Sequence, residues 1–127
     1  MLIKVLRAKL HRARVTEANV DYVGSITIDP DIYESVGLLA GEAVLVADIT
    51  NGQRFETYVL RGERGSRTVC INGAAARLVR VNDTLIVMGF GYVTPDEAAV
   101  LVPRIAILDD HNEFVRHLEE RPGEIAN

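Results

Sequence analysis

Asn51-Gly52 separates two β-rich runs, residues 43–49 and 55–60, and constrains the fold more than any other feature of the chain. Both residues tolerate positive φ, so Asn-Gly closes tight turns whose twist matches a pair of antiparallel strands. The two runs are therefore expected to form a hairpin. The same period of two governs most of the sequence. Residues 1–7 and 10–15 read as two strands or one bent strand, and 23–28, 67–71, 84–92 and 103–108 as further strands. Gly89 and Gly91 fall on one parity of their run, which points to a bend or close backbone packing.

Helical signals are few. Asp29-Pro30 opens a short helix that closes at Gly37, since Asp caps, Pro fits the first turn and Gly suits the position past the end. Residues 74–79 suit one helical turn, and 63–66 a loop. Residues 111–120 fit an amphipathic helix with Phe114, Val115 and Leu118 on one face. Pro122-Gly123 ends that helix, and a mobile tail is expected beyond it. Many short strands with turn signals argue for a β-barrel or a sandwich, and periodicity does not choose between them.

A chain of 127 residues is expected to form a single domain. Its composition, 48% hydrophobic and 25% charged, is that of a globular protein. A net charge of -4 and a pI near 5.3 argue against nucleic acid or an anionic membrane as partner. No run approaches the roughly 18 apolar residues of a membrane span. The N-terminus alternates apolar and basic residues instead of forming a signal peptide, so a cytoplasmic location is expected. Cys70 is the lone cysteine, which excludes an internal disulfide; between Val69 and Ile71 it reads as a buried, inert thiol. His11, His111 and His117 are too scattered to suggest a metal site, and none is expected. Gly89-Phe90-Gly91 lacks the third glycine of a dinucleotide-binding fingerprint.

Gly24-Ser25 carries the chemistry. A glycine carbonyl can be approached closely, and the next residue supplies a hydroxyl beside it. That is the minimum equipment for an intramolecular acyl shift. Alone, the pair reads as an ordinary piece of strand. Other segments accompany it: Lys9-Leu10-His11-Arg12, Tyr22-Val23-Gly24-Ser25, Thr50-Asn51-Gly52-Gln53-Arg54-Phe55, Thr57-Tyr58, Glu63-Arg64-Gly65-Ser66-Arg67 and Asn72-Gly73-Ala74-Ala75-Ala76. Together these resemble the bacterial aspartate 1-decarboxylases, the pyruvoyl enzymes that make β-alanine for pantothenate and coenzyme A. The resemblance runs from Lys9 to about Met88, with a looser continuation; Gly89-Phe90-Gly91-Tyr92 and much of 100–120 depart from it.

The resemblance implies a mainly β fold, a six-stranded double-psi β-barrel with short flanking helices, assembled as a homotetramer with active sites between subunits. It implies self-cleavage between Gly24 and Ser25, giving a short chain (1–24) and a long chain (25–127) that begins with a pyruvoyl group made from Ser25. That group would bind L-aspartate as a Schiff base and accept the electrons left by carbon dioxide, with no metal and no pyridoxal phosphate. Tyr58 would donate the proton to the resulting carbanion. Thr57 would bind substrate and assist processing at the Gly24 oxygen. Arg54 would hold the retained β-carboxylate, because a cation on the departing carboxylate would stabilise the ground state more than the transition state. Lys9 would add positive potential, and Gly73, Ala74 and Ala75 would offer backbone N–H groups to a carboxylate. His11, Tyr22 and Asn72 would order the site.

Thr57 and Tyr58 are neighbours on a strand, and neighbours point to opposite faces. Either the strand is irregular there, or the two residues serve different subunits' sites. Two other classes remain open at this point: a self-cleaving hydrolase with an N-terminal Ser25 nucleophile, and a β-barrel binding module without enzymatic activity. A maturation factor is equally left open.

Overall fold

The computed structural model describes residues 1–123, so the tail expected beyond Gly123 lies outside the described residues. Among the described residues there are nine strands: β1 (Ile3–Arg14), β2 (Glu17–Asn19), β3 (Ser25–Ile28), β4 (Ala43–Asp48), β5 (Arg54–Arg61), β6 (Val69–Asn72), β7 (Thr84–Val93), β8 (Arg104–Leu108) and β9 (Phe114–Leu118). Two short helices, α1 (Pro30–Tyr33) and α2 (Pro95–Val100), accompany them. The chain is thus mainly β, as the alternation requires. The hydrogen-bonded order is β2-β6-β3-β5-β4-β7-β1-β8-β9. Nine strands stand where the resemblance implies six; the three-residue β2 is at one edge of the order and β9 at the other.

β4 and β5 form the expected hairpin, paired without a register shift from Ala43↔Tyr58 to Ala47↔Arg54. Its loop is longer than a two-residue turn. Only Gly52 takes positive φ (78°), and the Asp48 carboxylate holds the loop by accepting the Thr50 and Asn51 N–H groups at 2.7 and 3.3 Å.

β1 is one strand with two bulges. Its pairing with β7 shifts between Leu6 and Ala8 and again between His11 and Ala13, where Arg12 has φ 72°. Each bulge inserts one unpaired residue. The insertions keep Ala8, Leu10, Ala13 and Val15 all fully buried. Opposite Ala8, Gly89 packs closely, since a Cβ there would lie 2.6 Å from the Leu38 side chain.

The core joins Leu10, Ile26, Ile28, Leu38, Ile71 and Leu85, none more than 1% exposed. Truncating one of them, such as Leu10→Ala, would cost about 2–5 kcal/mol. Asp29 caps α1 as expected and does more. Its fully buried carboxylate accepts the backbone N–H groups of Asp31, Gly65 and Arg67, tying the 63–68 loop to the helix start. Burial alone would raise this carboxyl, but those three donors and the Arg67 guanidinium hold it below its ordinary value.

The helix expected over 111–120 is absent: residues 114–118 form β9, paired antiparallel with β8 from Ile105↔Leu118 to Leu108↔Phe114. The deciding residues precede it. Asp109 accepts the N–H groups of His111 and Glu113, and Asn112 adopts φ 58°, which makes a hairpin turn. The edge of β8 then satisfies the backbone that a helix would have satisfied internally. Conversely, α2 was not expected, although Thr94 and Glu97 form a full capping box at its start.

Candidate active site

β3 lies between β5, which it pairs in parallel, and β6, which it pairs antiparallel. Ser25 is its first residue and is fully buried, whereas Tyr22, Val23 and Gly24 just before it are exposed. The Gly24–Ser25 peptide bond therefore sits where an exposed bend enters a buried strand. The Ser25 hydroxyl donates to the Val23 carbonyl at 3.0 Å and accepts from Asn72 Nδ2 at 3.0 Å. The second Nδ2 hydrogen of Asn72 goes to Thr27 Oγ1 at 2.9 Å, and its Oδ1 accepts from the Cys70 thiol at 3.2 Å. Strand register explains the convergence. Ser25 pairs with Asn72 and Thr27 with Cys70, so all four share one face of the β3–β6 ladder.

Gly73 completes this end of the site. It has φ 76°, and a Cβ on it would meet Gly24 Cα at 2.5 Å. Asn72 precedes the 3₁₀ turn at Gly73–Arg77 but does not cap it, because its side chain is turned to Ser25. Within that turn, Ala74 is exposed and Ala75 packs against the core. Tyr22, Thr27, Arg61, Cys70 and Asn72 line a cleft of about 270 Å³; Ser25 lies behind Asn72 and does not itself line it.

Tyr58 belongs with this group. The register Ile26↔Val59 places it beside Ser25, one step back on each strand. Thr57 does not share its face. The β4–β5 ladder is regular through both residues, so the irregular-strand alternative is excluded. Thr57 points the way of the buried Val59, while Tyr58 and Arg54 point outward.

Lys9 and His11 share the outward face of β1, as expected, but lie far from Ser25. His11 pairs with Ile86, Ile86 with Ala47, and Ala47 with Arg54, which forms one row across four strands. Lys9, Met88, Leu45 and Glu56 form the next row. Three inter-strand steps of about 4.8 Å put His11 roughly 14 Å from Arg54, and four residues at about 3.3 Å put Arg54 roughly 13 Å from Tyr58. One protomer thus gathers Tyr22, Gly24, Ser25, Tyr58, Asn72 and Gly73, and leaves Lys9, His11 and Arg54 spread over the outer surface. Burial, then the neighbouring Lys9 and Arg12 charges, lower the His11 pKa and favour its neutral form.

Thr27 and Cys70 were not expected in the site. The signal was the i, i+2 spacing of Cys70 with Asn72 and of Ser25 with Thr27 on strands. The thiol is buried as expected, and burial together with the Glu17 carboxylate raises it to about 11. No group of three His, Cys, Asp or Glu residues that could hold a metal occurs among the described residues.

A family model for aspartate decarboxylase matches residues 1–115. The chain belongs to the aspartate decarboxylase family. Several relatives support the assignment. An aspartate 1-decarboxylase of Caldicellulosiruptor saccharolyticus is 55% identical over 116 residues, 91% of each chain. One of Acetivibrio thermocellus is 48% identical over 126 residues, 98% of this chain and all of the relative. One of Bacillus cereus is 51% identical over 126 residues, 98% of this chain and 99% of the relative. The family match spans every residue from Lys9 to Ala75 placed above, together with β1 through β8. No helix among the described residues is long and apolar enough to cross a membrane.

Proposed function

We propose that this member of the family converts L-aspartate to β-alanine and carbon dioxide, supplying pantothenate synthesis, with a pyruvoyl group made from its own Ser25. One observation carries the reading: the Ser25 hydroxyl is buried, held by Asn72, and placed at the junction of an exposed Gly24 and a fixed strand. The hydroxyl adds to the Gly24 carbonyl carbon as the C–N bond breaks, giving an ester and a free Ser25 amine. Loss of the Ser25 α-proton expels the Gly24 carboxylate, and hydrolysis releases ammonia. The long chain 25–127 then begins with a ketone in place of an amine.

The residues around position 25 fit such a group. Its small volume replaces a side chain already enclosed by β5, β6 and Gly73, and Asn72 keeps a donor directed there. The pyruvoyl group supplies a ketone conjugated to an amide, which withdraws the electron pair left by carbon dioxide. Arg54 binds the β-carboxylate through its guanidinium fork, and Lys9 attracts the dianion. Tyr58 returns a proton to the α-carbon from its place beside Ser25. Thr57, Gly73, Ala74 and Ala75 position the substrate, and His11 and Tyr22 order the surroundings.

The spread of Lys9, His11 and Arg54 across the outer face supports a site closed by a second copy of the chain, within a homotetramer. A neighbour brings its own outward row against the Ser25 end, and Thr57 and Tyr58 then serve different sites.

Denaturing mass spectrometry of the purified protein tests the reading. The expected result is a 1–24 chain and a 25–127 chain lighter by one ammonia than its serine form. Ser25→Ala is expected to stay whole, folded and inactive. A long chain starting with serine would favour a hydrolase with an N-terminal nucleophile. An intact chain lacking decarboxylase activity would favour a binding module.

A further inference from the structure

We propose that Cys70 is a positioning residue for the Ser25 hydroxyl, acting through the side-chain amide of Asn72. The inference rests on the self-cleavage reading above. The Asn72 amide has one oxygen and two N–H hydrogens, and its surroundings match that set: one thiol on one side and two hydroxyls on the other. With the Cys70 proton on Oδ1, both hydrogens are free for Ser25 and Thr27. Turning the amide over would direct Oδ1 at Ser25, whose own proton is already given to Val23. It would also face an N–H with sulfur, a weak acceptor. Only the Thr27 hydroxyl could donate to a turned amide, so the S–H···O contact and the committed Ser25 proton together favour the orientation that directs Nδ2 at Ser25.

Cys70, Asn72 and Ser25 are 5%, 3% and 0% exposed, so the thiol–amide contact is shielded even though Cys70 and Asn72 border the cleft. The thiol keeps its proton at neutral pH, because burial and the adjacent Glu17 carboxylate raise it to about 11. Glu17 is exposed and competes for the same proton from the solvent side, while Oδ1 lies inside.

The amide orientation matters at a defined step. After the acyl shift, Ser25 Oγ is the ester oxygen, and elimination breaks its bond to Cβ with the electron pair going to the departing Gly24 carboxylate. A donor directed at that oxygen stabilises the developing charge. Without Cys70 the amide loses its fixed direction, and the ester should persist.

The test compares the wild-type chain with Cys70→Val, which keeps volume without a donor, and Cys70→Ser, which restores one. Precursor purified early is incubated, and cleavage is followed by denaturing mass spectrometry with and without hydroxylamine, which cuts esters. Thermal melting is measured in parallel. Cys70→Val is expected to form the 25–127 chain roughly tenfold more slowly, with a hydroxylamine-sensitive fraction that wild type lacks. Cys70→Ser is expected to recover to within about threefold of wild type. Equal cleavage of Cys70→Val and wild type would overturn the inference. Slow cleavage with a lowered melting temperature, no ester and no rescue by serine would also overturn it, by showing a packing role. A wild-type chain that never cleaves would overturn both this inference and the reading beneath it.

Discussion

The backbone at Gly73 lies so close to the backbone at Gly24 that a Cβ at position 73 would stand 2.5 Å from Gly24 Cα and 2.7 Å from its nitrogen. Both obstacles are main chain, so no rotamer change relieves them. Position 73 also has φ 76°, which penalises any side chain. Gly73→Ala should displace the 22–25 bend, destabilise the fold by roughly 1–3 kcal/mol and leave the chain uncut. Melting temperature and denaturing mass spectrometry check both parts. A variant cut at the wild-type rate would show that the Gly24 conformation does not matter.

Tyr58→Phe separates making the site from using it. The side chain is 36% exposed, so its hydroxyl is not needed for packing, and stability should stay within about 0.5 kcal/mol of wild type. Processing should be normal. The kcat for aspartate should fall by roughly 10²–10⁴, the usual worth of a positioned proton donor. Wild-type turnover would remove Tyr58 from that role.

Arg54→Ala should act on substrate affinity. Losing a charge-assisted pair of hydrogen bonds to a carboxylate costs about 1.5–3 kcal/mol, so KM should rise by roughly 10- to 100-fold with normal cleavage. Steady-state kinetics on fully processed protein measures this directly. An unchanged KM would show that the β-carboxylate is held elsewhere.

Asp48 provides a test of pH dependence. It is 1% exposed, and its Oδ2 lacks a hydrogen-bond partner among the described residues. Burial, then the adjacent Asp83 carboxyl, pushes its pKa up to about 6. An acid whose folded pKa exceeds its unfolded value binds more protons when folded. Its stabilising effect is present below pH about 4 and is lost as pH rises through about 6. Asp48→Asn supplies a neutral donor toward Asp83 while keeping an oxygen for Thr50 and Asn51. It should therefore raise stability at pH 7 by roughly 1–2 kcal/mol and flatten the profile between pH 4 and 6. Denaturant melts across that range measure it. A destabilised variant with an unchanged profile would show that Asp48 stays ionised.

Local chemistry made some of this architecture legible in the sequence. Asn51-Gly52 announced the hairpin, Asp29 marked the start of α1 and Gly37 the end of the 3₁₀ turn Glu34–Val36 that follows it, and paired glycines marked the tight packing at Gly89. β9 escaped because Phe114, Val115 and Leu118 satisfy a helical stripe as readily as a strand; the turn at Asp109–Asn112 decided between them through side-chain bonds that spacing alone does not reveal. The two bulges of β1 escaped too, since an inserted arginine resembles any other polar residue. For the site, motif resemblance named Ser25, Asn72 and Gly73, which the fold brings together. It did not name Thr27 or Cys70. Their contribution depends on how β3 registers against β6, a long-range pairing that a linear pattern does not carry. The separation of Lys9 and Arg54 from Ser25 likewise emerges only once four strands are laid side by side.

β1 is laced to β7 along nearly its whole length and to β8 through its middle, so residues 1–24 are woven into the sheet rather than appended to it. Scission after Gly24 would produce two polypeptides but one folded body. The shorter piece would remain docked as a structural strand, dilution would not release it, and the reactive end would stay anchored by its own former neighbour.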